Sequence, residues 1–225
     1  MKLLLDRFKN NLIVSVQAPV DSPLHEPNVI AAMAEAAVKR GAAAVRIDTP
    51  AHVKAVRAKL PDIPIIGLWK QNIPESEVYI TPSFEAAEAI AVAGANIIAI
   101  DATIGPHPRE TVPELIEKIH QKLDVLVMAD VDNIEAALAA SVAGADWIGT
   151  TLYGYTAATA HLSPPGFSLL RAMVEQIKGI PLVCEGGIAD PAMAKTAIDL
   201  GADFVVVGTA ITGIDRKVED FLKVF

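Results

Sequence analysis

Eight short apolar runs, rich in Val and Ile, recur along this chain and alternate with longer Ala-rich segments of helical character. We interpret the runs as β-strands at 12–18, 43–48, 64–70, 96–102, 125–131, 147–154, 181–188 and 204–211. Over 225 residues, eight repeats leave about 28 residues for each strand and its helix. Near-continuously apolar strands need cover on both faces, as in a parallel sheet flanked by helices. The sequence therefore predicts an α/β fold, a single (β/α)8 TIM barrel over residues 1–225.

The segments that lead into the strands carry a weak internal repeat. Gly-Ala introduces every second strand, in RGAAAVRI, AGANIIAI, AGADWIGT and LGADFVVV. A glycine just past a helix end supplies the left-handed residue that terminates it. A quarter-barrel repeat and a general preference of such loops for glycine both explain the pattern, and both suit a barrel. A doubly wound open sheet is the alternative fold, which the lack of a GxGxxG fingerprint disfavours.

Composition excludes several classes of function. The chain is 52% hydrophobic and carries a formal net charge of −8, so it lacks the basic footprint that nucleic-acid binding needs. The segment MKLLLDRFKN is too short an apolar stretch for a signal peptide, and no run of about 18 apolar residues occurs elsewhere. We therefore expect a soluble, cytoplasmic protein with no nucleic-acid or membrane partner.

Cysteine and histidine give little support for metal or redox chemistry. The single cysteine, Cys184, excludes an internal disulfide and a Cys-rich zinc site, and its position next to Glu185 predicts that it packs towards the helices. The histidines lack the spacing of metal ligands. We expect His52 and His120 at exposed helix positions. We expect the other three in loops that can line the barrel mouth; they are His25, His107 and His161.

Polar side chains are concentrated where the predicted strands end, whereas the strand starts are almost wholly apolar. Active sites of (β/α)8 barrels lie at this C-terminal end of the strands. Ionisable groups that converge on one rim therefore predict an enzymatic site there. The rim residues are Gln17, Arg46, Asp48, Lys70, Asp101, Asp130, Thr150, Thr151, Glu185 and Thr209.

Small residues at the last two strand ends indicate a phosphate-binding barrel. Strand seven ends in EGGI (185–188) and strand eight in VGTAIT (207–212). Glycines at these positions leave backbone N–H groups free to bind an anion, and the start of a following helix favours negative charge. The motif predicts only a phosphate-bearing ligand, and two tight turns without a ligand are the alternative.

Several motifs together resemble the N-acetylmannosamine-6-phosphate 2-epimerase family over essentially the whole chain. They include VSVQA (14–18), YITP (79–82), IDAT (100–103), MAD (128–130) and IGTTLYGYT (148–156). The resemblance implies an isomerase without cofactor or metal, which interconverts N-acetylmannosamine 6-phosphate and N-acetylglucosamine 6-phosphate by deprotonation and reprotonation at C2. It further implies a role in amino-sugar (sialic acid) catabolism and a homodimer, for which the apolar C-terminus DFLKVF (220–225) offers a contact. Such an apolar end can equally pack on its own barrel.

The resemblance also implies roles for the rim residues. Lys70 and Glu185 match the catalytic pair of the family. The substrate-binding positions are Gln17, Arg46 and Asp130, with Thr151 beside them, and the phosphate positions are Gly186, Gly187, Gly208 and Thr209. The chain departs from the family at Gly213, where an arginine is usual, with Arg216 three positions on. This departure leaves open how the phosphate is contacted. Asp48, at the end of the second predicted strand, is also unexpected from the family pattern.

Proton transfer at C2 of an amino sugar requires an open ring, a base for the C–H bond and a partner for the enolate oxygen. We hypothesise that Lys70 acts at carbon and Glu185 at oxygen, with the reverse assignment also open. Two rival functions remain. One is a Schiff-base synthase or aldolase that uses Lys70 covalently, and the other is a sugar-phosphate sensor without catalysis.

Overall fold

Eight short parallel strands close into a barrel in the computed structural model, which describes residues 11–225. Each strand pairs with the next along the chain, and the last pairs with the first. The predicted (β/α)8 TIM barrel is thus confirmed. The strands are β1 (Asn11–Val16), β2 (Ala44–Asp48), β3 (Ile65–Leu68), β4 (Ile97–Asp101), β5 (Leu126–Asp130), β6 (Trp147–Gly149), β7 (Leu182–Glu185) and β8 (Phe204–Val207).

Helices follow the strands and cover the outside of the barrel. Proline in the first turn or a capping side chain starts most of them; the Asn133 side chain, for example, accepts the N–H of Ala136. The glycines of the Gly-Ala repeat lie in the left-handed region, as at Gly41 with φ 105° and Gly94 with φ 110°. The helices are α1 (Pro27–Lys39), α2 (Pro50–Lys59), α3 (Phe84–Val92), α4 (Val112–Lys122), α5 (Ile134–Val142), α6 (Phe167–Gln176), α7 (Pro191–Asp199), α8 (Thr209–Thr212) and α9 (Ile214–Leu222).

All eight predicted strands exist, but several end earlier than their apolar runs. The runs 147–154 and 204–211 contain the strands Trp147–Gly149 and Phe204–Val207, and the second run continues into α8. The apolar residues beyond these ends pack in loops above the barrel, so hydrophobicity alone overestimates strand length. The run VYIT (78–81) is an extended loop with one antiparallel bridge between Lys70 and Ile80.

The interior of the barrel is apolar at the N-terminal end and charged at the C-terminal end. At the N-terminal end, Trp147 and Phe204 stack with ring centroids 4.5 Å apart, and Ile13 and Ile66 belong to the same buried cluster. Alternate residues of each strand point outward to a second cluster with the helices. This apolar layer fills one end of the barrel, so the polar side chains lie at the other.

Cys184 is fully buried in the outer cluster, which confirms its packing role. Burial raises the pKa of its thiol to about 11.

Of the two histidines predicted at exposed helix positions, His120 is exposed as expected. The prediction for His52 is wrong, because it is only 3% exposed. The face of α2 that carries His52 lies against the loop after β1. There the His52 ring packs edge-on against the His25 ring, with the ring centroids 4.5 Å apart.

No helix of the described residues has the length and apolar character needed to cross a bilayer. The segment MKLLLDRFKN, interpreted from sequence as too short for a signal peptide, lies at residues 1–10, outside the described part of the chain.

Candidate active site

A buried guanidinium joins two carboxylates at the C-terminal end of the barrel interior. Arg46 on β2 is 2% exposed and faces Asp130 on β5, with distances of 2.6 Å from Nη2 to Oδ2 and 3.2 Å from Nη1 to Oδ1. The same Nη1 lies 3.1 Å from Oε2 of Glu185, the last residue of β7. Burial disfavours the charge of Arg46, but both carboxylates outweigh it and raise its pKa. The strand ends thus hold three ionised or ionisable groups in fixed geometry.

Thr151 completes this network from the loop after β6. Its hydroxyl oxygen lies 2.6 Å from Oδ1 of Asp130 and 3.2 Å from Oε2 of Glu185. A hydroxyl has one proton to donate, so it can serve only one of these carboxylates at a time. The shorter distance favours Asp130, which leaves Glu185 the less fully paired carboxylate.

Glu185 is the group of this network whose protonation changes near neutrality. Burial raises its pKa to about 7, and the charge of Asp130 adds to this, whereas Arg46 and the nearby Thr151 hydroxyl lower it. Thr150 fixes its backbone, since the Thr150 hydroxyl donates to the Glu185 carbonyl at 2.9 Å and accepts the Glu185 N–H at 3.1 Å. A rigidly held carboxyl that is half protonated near pH 7 suits acid–base chemistry.

Lys70 reaches the same mouth from the opposite side of the barrel. It lies two residues beyond β3, and its Nζ donates to Oε1 of Gln17 at 2.6 Å. The loss of hydration in the mouth lowers its pKa, and Arg46 acts in the same direction, whereas Asp48 opposes the shift. The amine is therefore neutral more often than that of an ordinary surface lysine, although its residue keeps access to solvent.

The glycine-rich turns lie at the ends of the adjacent strands β7 and β8. Gly186 and Gly187 have φ of 95° and 70°, and a Cβ on Gly187 would lie 2.5 Å from Cβ of Pro164. Gly208 leads into α8, where Thr209 is the first residue, and a Cβ on Gly208 would lie 3.3 Å from Cβ of Ser15. The close approach of Pro164 therefore requires glycine at position 187, whereas Gly208 lies close to Ser15 without excluding a side chain. The predicted phosphate residues of the two turns are brought side by side.

Gly213 cannot be exchanged for the arginine usual in the family without a shift of the backbone. A Cβ there would lie 2.8 Å from Cα of Thr209 and 2.9 Å from its carbonyl oxygen. Arg216, three residues on, is exposed on α9 and pairs with Glu219 and Asp220 at 3.5 and 3.4 Å. The backbone of the turn after α8 therefore has a shape that leaves no room for an arginine side chain at position 213.

Asp101, a predicted rim residue, bonds to its own loop rather than to the charged network. Its Oδ1 accepts from the hydroxyl and the N–H of Thr103 at 2.6 and 3.1 Å. Nε2 of His107 lies 3.0 Å from the Thr103 carbonyl oxygen, whereas His161 is exposed. Of the three histidines expected in loops near the mouth, His107 therefore reaches the surroundings of a rim carboxylate.

Sequence reasoning missed Tyr79 as a residue of the mouth. Burial raises the pKa of its hydroxyl to about 12, with further contributions from the charges of Asp130 and Asp101. The phenol is therefore neutral at physiological pH and lies near the carboxylates with a proton that it can donate. Its position within the extended loop 78–81, shortly after Lys70, was the sequence signal that could have identified it.

Ionisable groups at the C-terminal mouth of a (β/α)8 barrel, beside glycine-rich turns on β7 and β8, are the arrangement of a barrel enzyme of the phosphate-binding class. The NanE family model, described as "Putative N-acetylmannosamine-6-phosphate epimerase", matches residues 30–225. The chain therefore belongs to the N-acetylmannosamine-6-phosphate epimerase family.

Individual relatives agree with this family. The chain is 56% identical to a protein of Synechococcus elongatus, over 97% of this chain and 94% of that protein. It is 40% identical to a protein of Clostridium perfringens, over 98% of this chain and all (100%) of that protein. Both carry the name "Putative N-acetylmannosamine-6-phosphate 2-epimerase".

Solved structures give the same result. The structure of the N-acetylmannosamine-6-phosphate 2-epimerase from Clostridium perfringens superposes with a TM-score of 0.92 at 38% identity, covering 99% of this chain and 96% of that one. A thiamine phosphate pyrophosphorylase from Pyrococcus furiosus reaches a TM-score of 0.60 at 19% identity, covering 96% and 98% of the two chains. This second likeness shows the shared barrel fold alone.

Proposed function

We propose that this chain interconverts N-acetylmannosamine 6-phosphate and N-acetylglucosamine 6-phosphate, as the names of its relatives describe. The observation that carries the proposal is the pairing of two groups in one mouth: an amine with a lowered pKa, Lys70, and a carboxyl with a pKa raised to about 7, Glu185. The lowered pKa of Lys70 makes its neutral, basic form more available, and Glu185 can gain and lose a proton near neutral pH. Inversion of a carbon centre demands such proton transfers.

In this proposal Lys70 acts at carbon and Glu185 at oxygen. After ring opening, the neutral amine of Lys70 removes the proton from C2, and the electron pair of the C–H bond moves towards the C1 carbonyl to give an enolate. Glu185 in its protonated form gives its proton to the O1 atom. A water molecule then protonates C2 from the opposite face, and the hydroxide that results takes the proton from the Lys70 ammonium. Glu185 then recovers the proton of O1 as the aldehyde re-forms, so protons and electrons balance.

The remaining predicted residues are assigned to substrate binding. We assign contacts with the sugar to Gln17 and Thr151, which already meet Lys70 and Glu185, and electrostatic support to Arg46 and Asp130 beneath them. The phosphate is assigned to backbone N–H groups of the turns at β7 and β8. The residues of these turns are Gly186, Gly187, Gly208 and Thr209. No arginine is assigned there, because Gly213 carries no side chain and Arg216 pairs on its own helix.

The test is proton NMR of N-acetylmannosamine 6-phosphate with the enzyme in D₂O and no added cofactor. The expected result is the gluco epimer with deuterium at C2. Two rival outcomes are built in: a substrate adduct at Lys70 trapped by borohydride indicates a Schiff-base enzyme, and binding without C2 exchange indicates a sensor. Either one, without epimer formation, overturns the proposal.

We also propose a homodimer formed through α9. This helix leaves an apolar face in solvent, with Ile214, Val218, Phe221 and Leu222 exposed by 56%, 53%, 70% and 63%. Their spacing places them on one stripe, which the exposed Val224 and Phe225 continue. Two copies related by a twofold axis would cover this stripe with itself. Light scattering should give a dimer mass, with Phe221→Glu giving a monomer; a wild-type monomer contradicts the proposal.

We place the reaction in the cytoplasm, in the breakdown of amino sugars such as those of sialic acid. A phosphorylated sugar is charged and stays within the compartment in which it is made, so the enzyme must share that compartment. Cell fractionation should recover the protein with soluble cytoplasmic markers. Recovery in a secreted or membrane fraction contradicts the assignment.

A further inference from the structure

The peptide that carries Lys70 is held from both sides by groups outside the charged network. The Lys70 N–H donates to Oδ1 of Asp48 at 3.0 Å. On the other side, the Trp69 N–H donates to Oγ1 of Thr81 at 3.1 Å, and the Thr81 N–H donates to the Trp69 carbonyl at 2.9 Å. The position of this peptide therefore depends on two short side chains as well as on the barrel.

These contacts are needed because strand pairing stops before Lys70. β3 pairs with β4 through only two residue pairs and ends at Leu68. Residues 78–81, which we call the strap, fill the gap between the ends of these strands. The Gln71 N–H donates to the Tyr79 carbonyl at 2.9 Å, and the Asp101 N–H donates to the Ile80 carbonyl at 2.9 Å. The strap thus replaces the missing sheet contacts beside Lys70.

Thr81 holds this position in a backbone conformation that is unfavourable for its residue type. Its φ is 45°, in the left-handed region that β-branched residues rarely adopt, and its side chain is fully buried. Glycine would relieve the strain but would leave the Trp69 N–H without the hydroxyl that it binds. Thr49, next to Asp48, has φ 69° and donates its N–H to the Leu68 carbonyl at 2.9 Å. Both sides of the Lys70 segment therefore carry a strained threonine.

We propose that Thr81, together with Asp48, is a positioning residue that aims the Lys70 amine at C2 of the substrate. Neighbouring residues of an extended segment point to opposite sides, and Trp69 packs with the outer cluster while Lys70 enters the mouth. A rotation of the Trp69–Lys70 peptide would turn the amine away from the substrate. This inference rests on the role proposed for Lys70 above.

The test compares Thr81→Val, which keeps the branched shape but loses the hydroxyl, with Thr81→Ser, which keeps the hydroxyl. We expect Thr81→Val to lower kcat by about 10- to 100-fold with KM changed less than about threefold, since misplacement of about 1 Å costs rates of this order. Thr81→Ser should restore kcat to within about threefold of the wild type. The control is Thr196→Val, which removes a hydroxyl bonded to the Ala192 carbonyl on α7 and should change neither constant.

A readout without turnover separates this inference from the proposed function. Lysines labelled with ¹³C at Cε are titrated by NMR, and the Lys70 signal is assigned by its loss in Lys70→Arg. We expect Thr81→Val to move the Lys70 pKa back towards the ordinary lysine value, with Thr81→Ser unchanged. If the wild type epimerises and Thr81→Val keeps both its kcat and its titration, the positioning role is overturned. If the wild type does not epimerise but the titration moves as expected, Thr81 still sets the position of the Lys70 amine, and the proposed function and its C2 target fail.

Discussion

Lys70 and Glu185 stand on opposite sides of the barrel mouth, and the protein holds them in different ways. β3 and β7 are separated by three strands in either direction around the closed sheet. Glu185 is the last residue of its strand, 9% exposed, and is surrounded by Arg46 and Thr151. Lys70 lies beyond its strand, and within the described residues its amine donates a hydrogen bond to Gln17 alone. The Glu185 carboxyl is thus carried by a strand of the barrel, whereas the Lys70 amine is carried by a loop.

This difference separates stability from activity. The Glu185 side places buried charges in the barrel, so changes there alter the free energy of unfolding as well as the chemistry. The Lys70 side places an accessible amine on a segment held by local hydrogen bonds, so changes there alter the chemistry with little effect on unfolding. Variants at Lys70, Arg46, Glu185 and Asp48 test the two halves of this comparison. A variant on the Lys70 side that mainly lowers the free energy of unfolding, or one on the Glu185 side that leaves it unchanged, would contradict the comparison.

Lys70→Ala should give the largest effect on activity. Loss of the base should reduce C2 exchange by about 1,000-fold or more, in the range of general acid–base contributions, while the free energy of unfolding changes by less than about 0.5 kcal/mol. NMR exchange in D₂O and urea unfolding measure the two effects. Lys54→Ala, which removes an exposed lysine of α2, is the control and should leave both values unchanged. Exchange that survives in Lys70→Ala rules out Lys70 as the base.

Arg46→Met should give the largest effect on stability. It leaves the carboxylates of Asp130 and Glu185 buried without their cation, and such a break costs about 3–5 kcal/mol in free energy of unfolding. Urea denaturation gives the value. The double variant Arg46→Met, Asp130→Asn should recover part of the loss, because it removes one of the uncompensated charges. A single variant as stable as the wild type would show that this side is not held by charge.

Glu185 should make the stability of the wild type depend on pH. Its pKa is about 7 in the folded protein against an ordinary value of 4.5, so the folded state binds the proton more tightly. The contribution is fully present below pH 4.5 and is lost as the pH rises through about 7. For one proton the slope does not exceed about 1.4 kcal/mol per pH unit. Urea unfolding at pH 5, 6 and 7 should show this fall in the wild type, and Glu185→Gln should reduce it; equal slopes for both proteins refute the assignment.

The barrel could be predicted from sequence because strands buried on both faces are apolar almost throughout and recur at a regular spacing. The ends could not, since residues such as Leu152 and Ile211 continue the apolar pattern in loops and in α8. His52 was predicted to be exposed on its helix, yet its ring is buried against His25 by the loop after β1. Tertiary contacts between distant segments decided each of these cases.

The same limit applies to the site. The sequence predicted which residues occupy the rim, since these end the apolar runs. Which of them meet depends on strand order around a closed barrel, so the contact of Arg46 with both Asp130 and Glu185 required the structure. The strap contact between Thr81 and the Trp69 peptide was also hidden, because strained backbone angles leave no pattern in residue type.

Asp48→Asn should give the smallest effect and tests the Lys70 side most finely. Asparagine keeps an oxygen for the Lys70 N–H but removes the negative charge that raises the Lys70 pKa. The pKa of Lys70 should fall further, so the acid limb of the profile of kcat/KM against pH should move to lower pH while the maximal rate changes less than about threefold. Asp48→Ala loses the oxygen as well and should also lower kcat. Should Asp48→Asn lower kcat as much as Asp48→Ala, the charge rather than the anchored peptide would set the position of the base.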